Sequence, residues 1–200
     1  SAGRVDCTAV RMNAPLTSTV LPAACTPMTA GAAGPDRISR NVYDSDGRLT
    51  AVQSGVGTAL LQNTQAIGYR TGSNQNGQVD WVEDARGGHT TYSYDAFGRR
   101  IRTNYPHPLV GGSSSTSDYD QVSYDSIGRI TGFRTRRGEQ LTFAYDNLGR
   151  VTSVVVPERA GLDPTHTRDV FYGYDLMGNM DYARFDGTSG QGVTNTWNAL

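Results

Sequence analysis

Six glycines at positions 47, 77, 98, 128, 149 and 178 stand 30, 21, 30, 21 and 29 residues apart. Around them a short phrase recurs. It reads Tyr43-Asp44-x-x-Gly47-Arg48, Tyr94-Asp95-x-x-Gly98-Arg99, Tyr124-Asp125-x-x-Gly128-Arg129 and Tyr145-Asp146-x-x-Gly149-Arg150. A looser copy reads Tyr174-Asp175-x-x-Gly178-Asn179, and a degenerate one around Gly77 has Asn74 and Gln78 where the others have Asp and Arg. A fixed period of this kind marks a tandem array, here a unit of 21 residues that in three of five steps carries eight or nine more.

Asp-x-x-Gly between two alternating apolar runs has a local mechanism for reversing the chain. The Asp carboxylate accepts a hydrogen bond from the backbone N–H two residues on, and the Gly supplies positive φ for a type I turn with a bulge. The residues flanking the loop then face each other, so Asp44, Asp95, Asp125 and Asp146 oppose Arg48, Arg99, Arg129 and Arg150. One step out, Tyr43, Tyr124 and Tyr145 oppose Leu49, Ile130 and Val151. Each such cross-strand pair contributes roughly 0.2–1 kcal/mol.

Straight alternation places Phe143, Val122 and Tyr172 on the face of the neighbouring Tyr, with small residues such as Ala144, Ser123 and Gly173 between. The return strands, for example Val151-Thr152-Ser153-Val154, then read as partly apolar on both faces, which suits a curved or covered sheet. A second set of turns, Asp84-Ala85-Arg86-Gly87 and Thr135-Arg136-Arg137-Gly138, closes the short units. Long loops at 54–63, 106–117 and 157–167 take that place in the longer ones, on the edge opposite the Asp-x-x-Gly-Arg turns.

No segment keeps helical spacing over three turns, and no run of 18 apolar residues exists. An all-β tandem antiparallel hairpin array is expected over residues 37–187. Residues 1–36, rich in Ala, Pro and Thr, read as an irregular segment or linker, and 188–200 as a tail or the start of another repeat. Cys7 and Cys25 lie in the first of these; a disulfide between them suits an exported protein, and two unpaired thiols in a flexible tail is the other reading. A chain that opens on Ser1 without a leader pattern reads as an excised or processed piece. The formal charge of −1 gives no electrostatic case for nucleic acid or an anionic membrane. All 18 basic residues are Arg, which fits a GC-rich coding bias or selection against lysine and bears on neither fold nor site.

Chemistry-bearing constellations are missing from the pattern. His89, His107 and His166 sit in separate turns and loops without metal-ligand spacing, and two cysteines alone make no zinc site. Asp44-Ser45-Asp46-Gly47 opens like a calcium loop, but Gly55 stands where the bidentate Glu is needed. Each repeated Asp has an Arg placed to neutralise it, and no Gly-x-Ser-x-Gly elbow occurs. No enzyme activity and no cofactor are expected. Trp81, Trp197 and the 11 Tyr either pack the sheet or form shallow platforms for sugar rings.

Tyr-Asp-x-x-Gly-Arg-aliphatic at this spacing resembles the YD repeat of the Rhs family, over about residues 38–185. That family includes bacterial polymorphic toxins, the shells of insecticidal toxin complexes, wall-associated proteins and the teneurins. The resemblance implies a hairpin array that coils into a curved sheet, a fragment of a hollow β-shell that encloses a C-terminal toxin segment of the same polypeptide. It also implies a structural role for the Tyr, Asp, Gly and Arg of each copy, and a secreted or cell-surface location. Six turns give about a dozen strands, too few to close a container. The self-cleaving Asp-Pro-x-Gly-Leu of toxin members has no match, since Gly161-Leu162-Asp163-Pro164-Thr165 runs in another order. The alternative is an adhesion module that binds a glycan or a cell-surface protein through the long loops.

Overall fold

The computed structural model describes residues 3–13, 20–72 and 77–198. It is all-β: among the described residues there are fourteen strands and one 3-10 turn, Pro164–His166. The chain divides into two compact units, the first comprising residues 1–93 and Asn104–Ser115, the second Tyr94–Thr103 and 116–200. The first contains β1 (Cys7–Val10), β2 (Arg37–Tyr43), β3 (Leu49–Ser54), β4 (Gln62–Tyr69), β5 (Val79–Asp84) and nearly all of β6 (His89–Tyr94). Strands β7 (Arg100–Pro106) and β8 (Ser114–Tyr124) contribute to both units. The second goes on through β9 (Ile130–Arg134), β10 (Gln140–Tyr145), β11 (Val151–Val155), β12 (Val170–Tyr174), β13 (Met180–Phe185) and β14 (Gly192–Thr194). Within each unit, strands that follow one another in the chain pair antiparallel.

The repeat sets the register. Tyr43 faces Leu49, Tyr124 faces Ile130, Tyr145 faces Val151 and Tyr174 faces Met180, two positions outside the loop in every case. Immediately beyond, the return strand carries one extra residue. Ala144 faces Ser153, so Thr152 is passed over, and Thr50, Asp80, Thr131 and Asp181 are passed over in the same way. This bulge corrects the straight-alternation reading of the return strands. Because it flips everything beyond it, Val151 and Val154 come to share the face of Tyr145 and Phe143. Leu49 with Val52, Val79 with Val82 and Ile130 with Phe133 do likewise. One face is apolar-rich after all.

The degenerate turn also differs from expectation. Arg70 N–H donates to the Gln78 carbonyl at 2.9 Å, Arg70 Nη1 meets Gln78 Oε1 at 3.2 Å, and Tyr69 faces Val79. Tyr69-Arg70 therefore holds the Tyr-Asp place; the Asn74 position lies outside the described residues.

Burial is thin. Only Ile38, 1% exposed, and Val56 are buried hydrophobics among the described residues, both in the first unit. A single layer of this kind has no central core, so its cohesion comes from cross-strand pairs and side-chain hydrogen bonds. Two glycines in entering strands accept an aromatic ring directly: Trp81 lies over Gly68 and Tyr182 over Gly173, each on the facing residue.

The first 36 residues contribute β1, which pairs with β2 from Cys7↔Arg40 to Val10↔Arg37, and Cys7 is disulfide-bonded to Cys25. Asp36 gathers residues 11, 12 and 28. Its carboxylate accepts from Arg11 Nη1 at 2.7 Å, Met12 N at 3.0 Å and Met28 N at 2.9 Å. The Met28 N–H, then the Arg11 guanidinium, holds this carboxyl below its ordinary value.

Candidate functional site

One turn contains the chemistry of all. In Asp146–Arg150, Gly149 at φ +83° lets its N–H donate to the Asp146 carbonyl at 3.0 Å, while Asp146 N–H donates to the Arg150 carbonyl at 2.9 Å. Asp146 Oδ1 accepts from the N–H groups of Leu148 and Arg150, both at 2.9 Å, and Oδ2 accepts from Arg150 Nε at 2.6 Å. Asp44, Asp95 and Asp125 repeat all three side-chain bonds with Arg48, Arg99 and Arg129. Asp175 keeps them with Asn179, whose amide replaces the guanidinium at 2.9 Å. Gly47, Gly77, Gly98, Gly128 and Gly178 all have positive φ.

These bonds set the carboxyl ionisation. For Asp44 and Asp146 the backbone N–H of the Arg is the largest influence, and it lowers the pKa below the ordinary 3.8. For Asp95 and Asp125 desolvation pushes upward, but the hydrogen bonds from Arg99 and Arg129 outweigh it, so these also fall. The Asn179 amide does the same for Asp175. A carboxylate held charged by three hydrogen bonds within one turn is a poor proton acceptor, so the repeated Asp–Arg pairs are unsuited to acid–base work.

The outward side of each turn was not legible in a single unit. The guanidinium of one turn lies over the Tyr ring of the next: Arg48 over Tyr69 at 4.8 Å, Arg99 over Tyr124 at 4.1 Å, Arg129 over Tyr145 and Arg150 over Tyr174 at 4.6 Å. That Tyr hydroxyl donates back to the residue after the previous Arg. Tyr69 reaches the Leu49 carbonyl at 2.8 Å, Tyr145 that of Ile130 at 2.7 Å, and Tyr174 that of Val151 at 3.0 Å. Arg129 Nη1 and Arg150 Nη1 add bonds to the carbonyls of Asp146 and Asp175, at 3.3 and 3.0 Å. Three of these four pairs are thereby stapled by a cation–π contact and one or two hydrogen bonds, and the Arg99–Tyr124 pair by the cation–π contact. Tyr94, at the end of β6, precedes the Asp95 turn.

The full staple recurs at Tyr43, and its hydrogen bonds alone recur at Trp197. Arg4 covers the Tyr43 ring at 5.2 Å, and Tyr43 Oη and Asn41 Nδ2 both donate to the Val5 carbonyl, at 3.0 and 2.9 Å. Trp197 Nε1 and Asn195 Nδ2 both donate to the Met180 carbonyl, at 3.2 and 2.9 Å. Gly3-Arg4-Val5 matches Gly149-Arg150-Val151, and Asn195-Thr196-Trp197 matches Asn41-Val42-Tyr43. Half-units of this kind were the readable signal.

Elsewhere there is little chemistry. Trp81 has one ring face on His89, centroids 5.0 Å apart, and His89 Nδ1 stands 3.2 Å from Glu83 Oε2. His107 Nδ1 accepts from Leu109 N, and His166 ends the 3-10 turn that Asp163 caps. Among the described residues no three His, Cys, Asp or Glu are grouped to hold a metal ion. Among the described residues no helix is long and apolar enough to cross a membrane.

The family model described as RHS Repeat matches residues 76–107 and 124–160. Over these two stretches the chain is similar to the RHS repeat. Its hairpins also resemble solved structures of TcdB2-TccC3, with and without Cdc42, at 14% identity and a TM-score of 0.49 over 77% of this chain. A TcdB2-TccC3 structure without its hypervariable C-terminal region matches over 80% at a TM-score of 0.47. The chain spans 11% of the length of each. No curated protein matches.

Proposed function

We propose that this chain is a wall segment of an Rhs shell in a secreted or surface protein, and that the shell encloses a toxin segment of the same polypeptide. The supporting observation is the staple. The Asp44, Asp125 and Asp146 turns each offer the next the same guanidinium and carbonyl and receive its Tyr ring, so hairpins can be added without changing the contact. The half-units at Gly3-Arg4-Val5 and Asn195-Thr196-Trp197 extend this to the first and last described strands, and the array on this reading runs from Gly3 to Asn198. The role of Tyr43, Asp44, Gly47, Arg48 and their counterparts is to hold the wall, with no part in catalysis. The Cys7–Cys25 disulfide supports an oxidising compartment.

Limited proteolysis of the intact polypeptide that carries these repeats tests the reading. A cargo segment protected while the array is folded, and cut once the array is denatured, is the expected result. A cargo cut as readily in the intact protein as when isolated overturns it.

A further inference from the structure

The third residue of each Asp-x-x-Gly turn in the second unit is a large apolar side chain held in water. Phe97, Ile127, Leu148 and Met177 are 81%, 74%, 75% and 87% exposed, and Leu176 beside Met177 is fully exposed. These residues are not loose loop tips. In all four turns the N–H of this residue donates to the Asp carboxylate, and the next residue is the positive-φ Gly. The turns join β6 to β7, β8 to β9, β10 to β11 and β12 to β13, so each is two strands from the next. At about 4.8 Å per strand, the knobs recur roughly every 10 Å along one edge.

Between the first two knobs, Phe97 and Ile127, lie two hollows. A groove of about 450 Å³ separates the first two turns, lined by Phe97, Arg99, Ile101, Val122, Tyr124 and Ser126, and one of about 240 Å³ lies beside Phe97 and Ile127. Three of its four turns are also electrically quiet, because Asp95, Asp125 and Asp146 are each ion-paired with the Arg of the same turn, whereas Asp175 faces the neutral Asn179. The opposite edge of this unit carries Arg136 and Arg137 in its short turn and only the partly exposed Leu162 in its long loop.

We propose that this row is a self-association surface, and that its partner is the same row on a second copy of the chain, packed antiparallel about a two-fold axis. An isologous interface needs knobs and hollows on one patch at one period, and neutral pairs that do not repel when doubled. This edge has both. Phe97 alone buries about 150 Å² when covered, and the row of five large side chains runs about 30 Å along the edge, a footprint that approaches the ~800 Å² per partner of a standard interface. In the first unit, Asp46 takes the knob position of the Asp44 turn, and the row does not extend there.

Sedimentation velocity of the 200-residue chain over a concentration series tests this. The expected result is a rise from one-copy to two-copy mass, with Leu148→Ser weakening the dimer at least tenfold. The combined Phe97→Ser, Ile127→Ser, Leu148→Ser and Met177→Ser variant is expected to stay monomeric with an unchanged circular dichroism spectrum. Leu109→Ser with Val110→Ser, outside the row, should change nothing. An Ile127→Cys chain mixed with a Leu148→Cys chain should oxidise to a cross-linked dimer. A wild-type chain that stays monomeric, including one that instead binds phosphatidylcholine vesicles, overturns the proposal. A dimer indifferent to the four substitutions does so equally.

Discussion

Two glycines of the β12–β13 hairpin are required for different reasons, and substitution separates them. Gly178 has φ +94° and open space where a Cβ would stand. Alanine there meets no atom, so its cost is backbone strain alone, about 1–2 kcal/mol. Gly173 lies in extended backbone, but a Cβ would stand 2.0 Å from Tyr182 Cε1 and 2.4 Å from Cζ. Alanine there must push the ring off the strand, at about 1–3 kcal/mol. For a chain of this length each kcal/mol moves Tm by about 2–4 °C. Urea and thermal denaturation of Gly173→Ala and Gly178→Ala, each alone and with Tyr182→Ala, supply the test. With the ring gone, Gly173→Ala should become neutral or stabilising by up to about 1 kcal/mol, through the reduced entropy of the unfolded chain. Gly178→Ala should cost the same in both backgrounds. A neutral Gly178→Ala refutes the turn assignment, and a Gly173→Ala penalty that survives Tyr182→Ala refutes the ring-over-glycine contact.

Acid should loosen the turns together. Asp44, Asp95, Asp125, Asp146 and Asp175 all have carboxyl pKa values below 3.8 in the folded chain, so their stabilisation is complete above that value and is lost as pH falls through the lowered ones. Denaturation midpoints should therefore hold above the ordinary carboxylate range and drop below it; a midpoint that rises on acidification contradicts the sign. Reduction of Cys7–Cys25, which spans 18 residues, should cost the first unit about 3 kcal/mol on the chain-entropy account. Exchange protection of β1 and β2 amides should fall with dithiothreitol, and unchanged protection counts against it.

The parts of the fold that were legible were those confined to one unit. Asp, Gly and Arg within five residues specify a turn, and Tyr and an aliphatic residue beyond it specify the register. The bulge escaped because alternation was assumed to run unbroken, although Val151 and Val154, three apart, already pointed to it. The staple escaped for another reason. Within one hairpin the Arg is accounted for by its Asp and the Tyr by its facing aliphatic residue, so nothing local asks what lies on their far sides. Arg4 and Trp197 were hidden by being half-units without the Asp-x-x-Gly that draws the eye. The Tyr69-Arg70 pairing with Gln78-Val79 was hidden because Arg70 stands where the other copies have Asp. The apolar knobs at Phe97, Ile127 and Leu148 sit at the variable positions of the repeat, where a pattern search looks past them.

The staple between successive turns is the claim on which the array depends, and a double-mutant cycle on Arg129 and Tyr145 measures it. Arg129→Ala, Tyr145→Ala and the double variant give a coupling free energy in which the bonds of Arg129 to Asp125 cancel. A guanidinium over a half-buried ring predicts a favourable coupling of about 0.5–2 kcal/mol. Additive effects, with no coupling beyond error, would mean that neighbouring hairpins are not joined through this pair.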